Sequence, residues 1–237
     1  MHKFNSNKVF ITQSNYIPWK GFFDSLQVSD IFVVFDEMQF TKRDWRNRNL
    51  IKTDIGLKWL TIPVETKGKY FQKINETKIS DYNWNVKHWR LIKNYYSKAS
   101  CFNEVSDLIE NLYINCNYKY ISEINIYFIE AICKFLNIKI EIRFSSEFKL
   151  SSDKTERLVE ICNELNATDY CTGPSSKNYL DQSKFELKNI NVKYFDYSNY
   201  PEYTQLHNGF NDNVSILDLI FNEGSRSVNF LKNTILK

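Results

Sequence analysis

Two stretches near the start of the chain carry side chains that a hydrophobic core does not need. The first is Gln13-Ser14-Asn15-Tyr16-Ile17-Pro18-Trp19-Lys20-Gly21, and the second runs Asp36-Glu37-Met38-Gln39-Phe40-Thr41-Lys42-Arg43-Asp44-Trp45-Arg46-Asn47-Arg48. The amides of Gln13, Asn15, Gln39 and Asn47 can donate to phosphate or carboxylate oxygens and pair with hydroxyls. Lys42, Arg43, Arg46 and Arg48 put four cations into seven residues, and arginine is the side chain suited to two-pronged phosphate contact. Tyr16, Trp19 and Trp45 offer ring faces for a base or a sugar. Asp36 supplies a carboxylate for a hydroxyl, an amine or a metal, and is a candidate general base. Each stretch has a plain structural alternative. The first would be a strand-to-helix turn with Asn15 as cap and Trp19 in the core; the second would be a solvated charged loop anchored by Trp45.

A third polar segment, Gly173-Pro174-Ser175-Ser176-Lys177-Asn178-Tyr179, follows an apolar run and is expected to open a helix. Its serines can cap that helix, and Ser175 and Tyr179 are candidate ligand contacts; a simple capped helix is the alternative. Of three histidines, His2 is terminal, and His88 lies on a helix beside Trp89 as either a core or a catalytic residue. His207 sits in the polar-aromatic run Tyr203-Thr204-Gln205-Leu206-His207-Asn208-Gly209-Phe210, and a loop position suits a general base. No Gly-rich phosphate loop, His-x-x-x-His pair, Asp-x-Asp motif or Ser-His-Asp order is present, so no metal ligand is expected.

The elements that must position these residues follow from periodicity. Strands are expected over 8–13, 30–36, 58–64, 138–142, 168–172 and 192–195, with a short helix over 19–28 and a polar connection over 38–56. Residues 83–136 carry three helical patterns. Ser152 or Asp153 is expected to cap another helix, with Glu156 in capping-box position to Asp153, and two more lie near 213–222 and 224–235. Strands alternating with helices predict an α/β fold with a mainly parallel, doubly wound, nucleotide-binding-like sheet, with a helix-dominated two-lobe protein as the alternative. The chain is expected to form a single domain over 1–237, with a helical lid or subdomain at about 80–137.

Composition limits the function. A net charge of +3 is too small to name a nucleic-acid partner, although it allows a positive pocket for an anionic substrate. Aromatics reach 16%, with 15 Tyr and 18 Phe. Five cysteines at wide, irregular spacing, with no Cys-x-x-Cys pair and no signal peptide, predict reduced thiols and a cytoplasmic location. No run approaches membrane-spanning length, and no membrane partner is expected.

At these motifs the chain resembles the WbqC-like family, found in bacterial clusters that make O-antigens and other surface polysaccharides. The likeness rests on Gln13 to Phe23, Asp36 to Arg48, Gly173 to Ser176, and His207 followed by Ser215-Ile216-Leu217-Asp218-Leu219-Ile220-Phe221-Asn222-Glu223-Gly224. Ser14 stands where the family pattern has Pro, and Glu37 where it has Asp. The resemblance implies modification of amino sugars: transfer of an acyl or aminoacyl group to the amine of a nucleotide-linked amino-deoxy sugar. On this expectation Gln13, Asn15, Tyr16, Trp19, Gln39, Arg46, Asn47, Arg48, Ser175 and Tyr179 bind substrate, while Asp36 or His207 accepts the amine proton. The partners are a nucleotide sugar and an acyl or aminoacyl donor. No cofactor and no donor carrier is readable, because the chain shows no acyl-CoA signature. A non-catalytic nucleotide-sugar-binding, nucleic-acid-binding or scaffold protein is the alternative.

Overall fold

Alternation of buried residues assigns the two faces of a central sheet. The structure is a computed structural model that describes residues 6–233 and the backbone of residues 235 and 236; His2 lies outside the described residues. In chain order the elements are β1 (Lys8–Thr12), α1 (Lys20–Gln27), β2 (Ile31–Val34), β3 (Arg48–Thr53) and β4 (Gly56–Thr61). Then come α2 (Trp84–Tyr96), α3 (Phe102–Ile114), α4 (Ile121–Phe135), β5 (Glu141–Phe144), α5 (Glu156–Glu164) and β6 (Asp169–Thr172). The chain finishes with α6 (Gln182–Glu186), β7 (Asn191–Phe195), α7 (Ile216–Glu223) and β8 (Ile235–Leu236).

Strands β5-β2-β1-β6-β7 lie side by side, all parallel, and β8 adds an antiparallel edge. Phe10, Phe32 and Val34 face α1, whose Phe22, Phe23 and Leu26 join them in one cluster with residues of α2, α3, α4 and α7. Val9, Ile11, Ile31 and Val33 face the other way, against Leu158, Val159, Ile161 and Cys162 of α5 and Phe185 of α6. This is an α/β fold with helices on both faces of a parallel sheet. The winding direction reverses between β1 and β6, and ligands of such sheets bind outside the carboxyl ends of the strands at that point. Gln13 to Asn15 leave β1 at this edge, Asp36 leaves β2, and Gly173 to Ser176 leave β6.

Several elements differ from the expectation. The connection 38–56 contains β3, which pairs antiparallel with β4 as a hairpin separate from the main sheet. The strand expected over 58–64 is its second arm, ending at Thr61. The segment after Gly173 is a 3-10 turn, Pro174–Asn178, with α6 starting later at Gln182. Residues Gly224–Phe230 form a 3-10 run instead of a helix, because Gly224 takes φ +55° and breaks α7. The strand expected over 138–142 pairs over Glu141–Phe144. At α5, Asp153 Oδ1 accepts the backbone N–H groups of Thr155 at 3.0 Å and Glu156 at 2.8 Å, so it caps this helix.

Candidate functional site

Asp36 is the joint between the two N-terminal stretches. Its Oδ1 accepts the Ser14 N–H at 2.8 Å, and its Oδ2 accepts the hydroxyls of Ser14 at 2.6 Å and Ser122 of α4 at 2.5 Å. Asn125, also on α4, donates to Ser14 Oγ and to the Arg46 carbonyl, both at 2.9 Å. The carboxylate is buried with both oxygens engaged, which makes it a support for the β1 loop. Arg46 closes the joint from above. Its guanidinium donates to Asn15 Oδ1, to Gln13 Oε1 at 3.1 Å and to the Ser14 carbonyl at 3.4 Å. Burial pulls its pKa down, opposed by Asp44 and Asp36. Gln13, Asn15 and Arg46 therefore meet, with Asp36 beneath them.

The backbone here is strained and clamped. Ile17 takes φ +37°, a left-handed conformation costly for a β-branched residue. Asn49 Nδ2 holds it by donating to the carbonyls of Tyr16 at 3.1 Å and Ile17 at 2.9 Å. Tyr16 N–H donates to the Trp45 carbonyl, Ile216 N–H to Pro18, and Ser215 N–H to Leu50. The starts of α1 and α7 and the edge of the hairpin are thus locked together.

Above this lock lies a recess of about 200 Å3 lined by Asn15, Pro18, Trp19, Trp45, Asn49 and Asn213. Trp19 packs edge-on to Tyr197 and Tyr200, with centroids 5.4 and 5.6 Å away. Tyr197 in turn lies 3.7 Å from where a Cβ on Gly173 would sit, so the β6 turn backs this wall. Trp45 is 44% exposed and leans on Trp59 of β4 at 5.4 Å, and the Arg48 guanidinium stacks 3.9 Å above the Trp59 ring. Two indoles and a cation therefore form an open ledge at the mouth of the recess. Trp59, Asn49 and Asn213 were not among the expected contacts; the first two follow closely on the second stretch, and Asn213 carries no local signal.

The strap 196–215 borders the recess through Asn213. It is fastened by two buried lysines. Lys20 Nζ pairs with Asp212 at 2.9 Å and the Pro201 carbonyl at 3.0 Å, with the rings of Tyr200, Tyr203 and Phe210 around it at 5.2–5.3 Å. Lys52 Nζ donates to Gln205 Oε1 and the His207 carbonyl, both at 2.7 Å, and to the Gly209 carbonyl.

The other expected site residues fall elsewhere. Tyr16 is wholly buried: its hydroxyl contacts His88 Nδ1 and Tyr113 Oη, each at 2.8 Å, so no ligand reaches it. His88 Nε2 lies 3.2 Å from the Thr61 carbonyl, which fixes Nε2 as the protonated nitrogen and Nδ1 as acceptor from Tyr16. Burial lowers its pKa to about 4, and the ring is neutral at pH 7. Asn47 is buried and donates to the Ile62 carbonyl at 2.8 Å. Gln39 is exposed and donates to the Tyr70 carbonyl, away from the recess walls. Ser175 and Tyr179 are exposed around the 3-10 turn after β6, and neither lines the recess. His207 contacts the Tyr95 carbonyl at 3.2 Å and lines a second recess of about 400 Å3 beside the hairpin turn. Lys52 fixes it there through the strap backbone, so it is not brought to Asp36. Among the described residues no group of three His, Cys, Asp or Glu side chains could hold a metal ion, and no helix is long and apolar enough to cross a membrane.

The sequence profile of the WbqC-like protein family matches residues 13–230. An uncharacterized protein of Mycobacterium tuberculosis (strain ATCC 25618 / H37Rv), Rv1507c, is 44% identical over 225 residues, covering 95% of this chain and 97% of its own. No solved structure matches.

Proposed function

The chain belongs to the WbqC-like protein family. From that premise we propose that it is a cytosolic enzyme of bacterial surface-polysaccharide synthesis, acylating or aminoacylating the amine of a nucleotide-linked amino-deoxy sugar. The observation that carries this is the recess wall of two indoles with the side-chain amides of Asn15 and Asn213 beside them. An indole face packs on the C–H face of a sugar ring, and asparagine amides both donate to and accept from hydroxyls. A volume of about 200 Å3 takes one ring rather than a whole nucleotide sugar, since pockets for larger ligands run to ~300–1,000 Å3. The diphosphate and base extend onto the open ledge, toward Arg48 and the Trp45–Trp59 pair.

In this reaction the amine attacks the acyl carbonyl carbon. The C–N bond forms, the bond from that carbon to the donor's leaving group breaks, and the amine proton passes to a base or to the departing group. Asp36 contributes by holding Ser14 and Asn15 in place. His207 lines the other recess, so at this one the departing group or water takes the proton. Holding donor and acceptor in near-attack geometry supplies much of the rate. The decisive experiment incubates purified protein with a dTDP-4-amino-4,6-dideoxyhexose and candidate acyl and aminoacyl donors and reads product mass. No mass gain with any donor, and no binding of the sugar nucleotide, sinks the proposal.

One observation favours a second reading. None of the six residues lining the recess is titratable, which suits a protein that binds the nucleotide sugar without turning it over. Tight binding with no product from any donor selects it.

A further inference from the structure

We propose that the loop spanning residues 65–73 docks this protein on an anionic lipid surface through Tyr70 and Phe71. These two rings are 76% and 82% exposed and pack edge to face, with centroids 4.9 Å apart. Unlike the singly exposed Ile55 and Leu187, these two rings pack on each other and form one contiguous apolar tip. The loop that presents them is built rather than slack. Gln72 Nε2 donates to the Glu65 carbonyl at 2.7 Å, and Lys69 pairs with Glu65. Gln39 donates to the Tyr70 carbonyl at 2.9 Å, and Phe40 N–H to the Gln72 carbonyl at 2.9 Å. Ordering two apolar rings outward has no role in the fold, since neither belongs to either buried cluster.

Charge indicates what they meet. Lys67, Lys69 and Lys73 lie within four residues of the rings, and all three are exposed. Lys78 pairs by a bridge with Tyr120, next to Lys119, and extends the basic surface to the start of α4. The acids among them are Glu65, held by Lys69, and Glu76 and Glu123, which accept the Lys73 and Tyr120 backbone N–H groups. Lysines therefore outnumber acids, five to three, around an apolar tip. Lysine ammonium groups beside phenol and phenyl rings suit the interface of anionic headgroups and acyl chains. Within residues 65–78 every cation is a lysine, the side chain that pairs with aromatic anchors at a lipid interface. The absence of a spanning helix is compatible, because surface docking needs none.

Co-sedimentation of the full chain with phosphatidylcholine vesicles, with and without 30 mol% phosphatidylglycerol, tests this. Binding is expected only to the anionic vesicles, and roughly tenfold weaker in a Tyr70→Ser/Phe71→Ser variant and at high salt. The exposed positions leave the fold intact, which circular dichroism checks, and the variant keeps nucleotide-sugar binding. Equal partition to both vesicle types, or unchanged binding by the variant, overturns the proposal. So does a patch whose loss instead abolishes binding of a tRNA or disperses a dimer in light scattering. Failure here leaves the sugar-recess proposal standing, since that is read on a different surface.

Discussion

The Trp19 indole lies across Gly21 so closely that a Cβ on residue 21 would fall 2.3 Å from Trp19 Cζ2. Glycine is required there because the ring, held between Tyr197 and Tyr200, forms a wall of the recess. Gly21→Ala is expected to push the ring out of place. The overpacking cost is about 1–3 kcal/mol, visible as a lowered Tm, and sugar-nucleotide binding falls with it. Unchanged melting and unchanged binding in this variant would show that the indole can move freely, and would remove it as a fixed wall.

A second expectation concerns Asp36. Asp36→Ala leaves the buried Ser14 N–H and two hydroxyls without their acceptor, at a cost of ~1–3 kcal/mol for the orphaned groups. Stability and ligand binding should decline together, because Ser14 and Asn15 lose their support. A variant with native stability, native affinity and abolished turnover would instead assign Asp36 to the chemistry.

The parallel sheet was legible because its strands are continuous apolar runs: Val9-Phe10-Ile11 and Ile31-Phe32-Val33-Val34 announce burial on both faces. β3 was not, because Arg48-Asn49-Leu50-Ile51-Lys52-Thr53 reads as polar. Asn49 and Lys52 are nevertheless buried, their polar ends spent on carbonyls of distant loops, and a local pattern cannot reveal such long-range partners. The meeting of Gln13, Asn15 and Arg46 was legible, since two strands leaving one sheet edge bring their loops together. Tyr16 and Asn47 carry the polar groups of ligand contacts in the sequence, yet like Lys52 they pair those atoms inside the fold. Asn213 reaches the recess beside Asp212, which Lys20 holds, and two residues before Ser215, which bonds Leu50.

Lys52→Met should loosen that strap. Three oxygens lose their shared donor, costing roughly 1–3 kcal/mol, and amide hydrogen exchange over residues 205–213 should quicken while the central strands stay protected. If exchange in this segment stays at the wild-type rate, the lysine is not what fastens it.

The buried His88 makes stability depend on pH. Its pKa is near 4 in the folded chain and 6.5 when unfolded, so between these values the unfolded chain binds a proton that the native chain does not. Stability from this residue is complete above pH 6.5 and declines as the pH falls toward 4, by roughly 3 kcal/mol in all. Urea unfolding at pH 7, 5.5 and 4.5 should show that decline, and His88→Gln should flatten it while lowering stability at pH 7. Parallel pH dependences in the two proteins would mean that His88 accepts a proton without unfolding the core.

The last expectation separates two arginines that sit two residues apart. Arg46 spends its donors on Gln13, Asn15 and the Ser14 carbonyl, whereas Arg48 lies flat on Trp59 at the open ledge. Arg46→Lys keeps the charge but loses the fork that spans two amides, so it should lower Tm as well as affinity. Arg48→Ala should leave Tm nearly unchanged and weaken binding of a nucleoside-diphosphate sugar by about 1–3 kcal/mol, because a charge-assisted phosphate contact is lost. Calorimetric titration with the nucleotide sugar, and with the free amino sugar lacking the nucleotide, distinguishes the roles. Arg48→Ala should affect only the first ligand, and Arg46→Lys both. Equal losses on the two ligands for Arg48→Ala would move the diphosphate off the ledge and leave the ring in the recess.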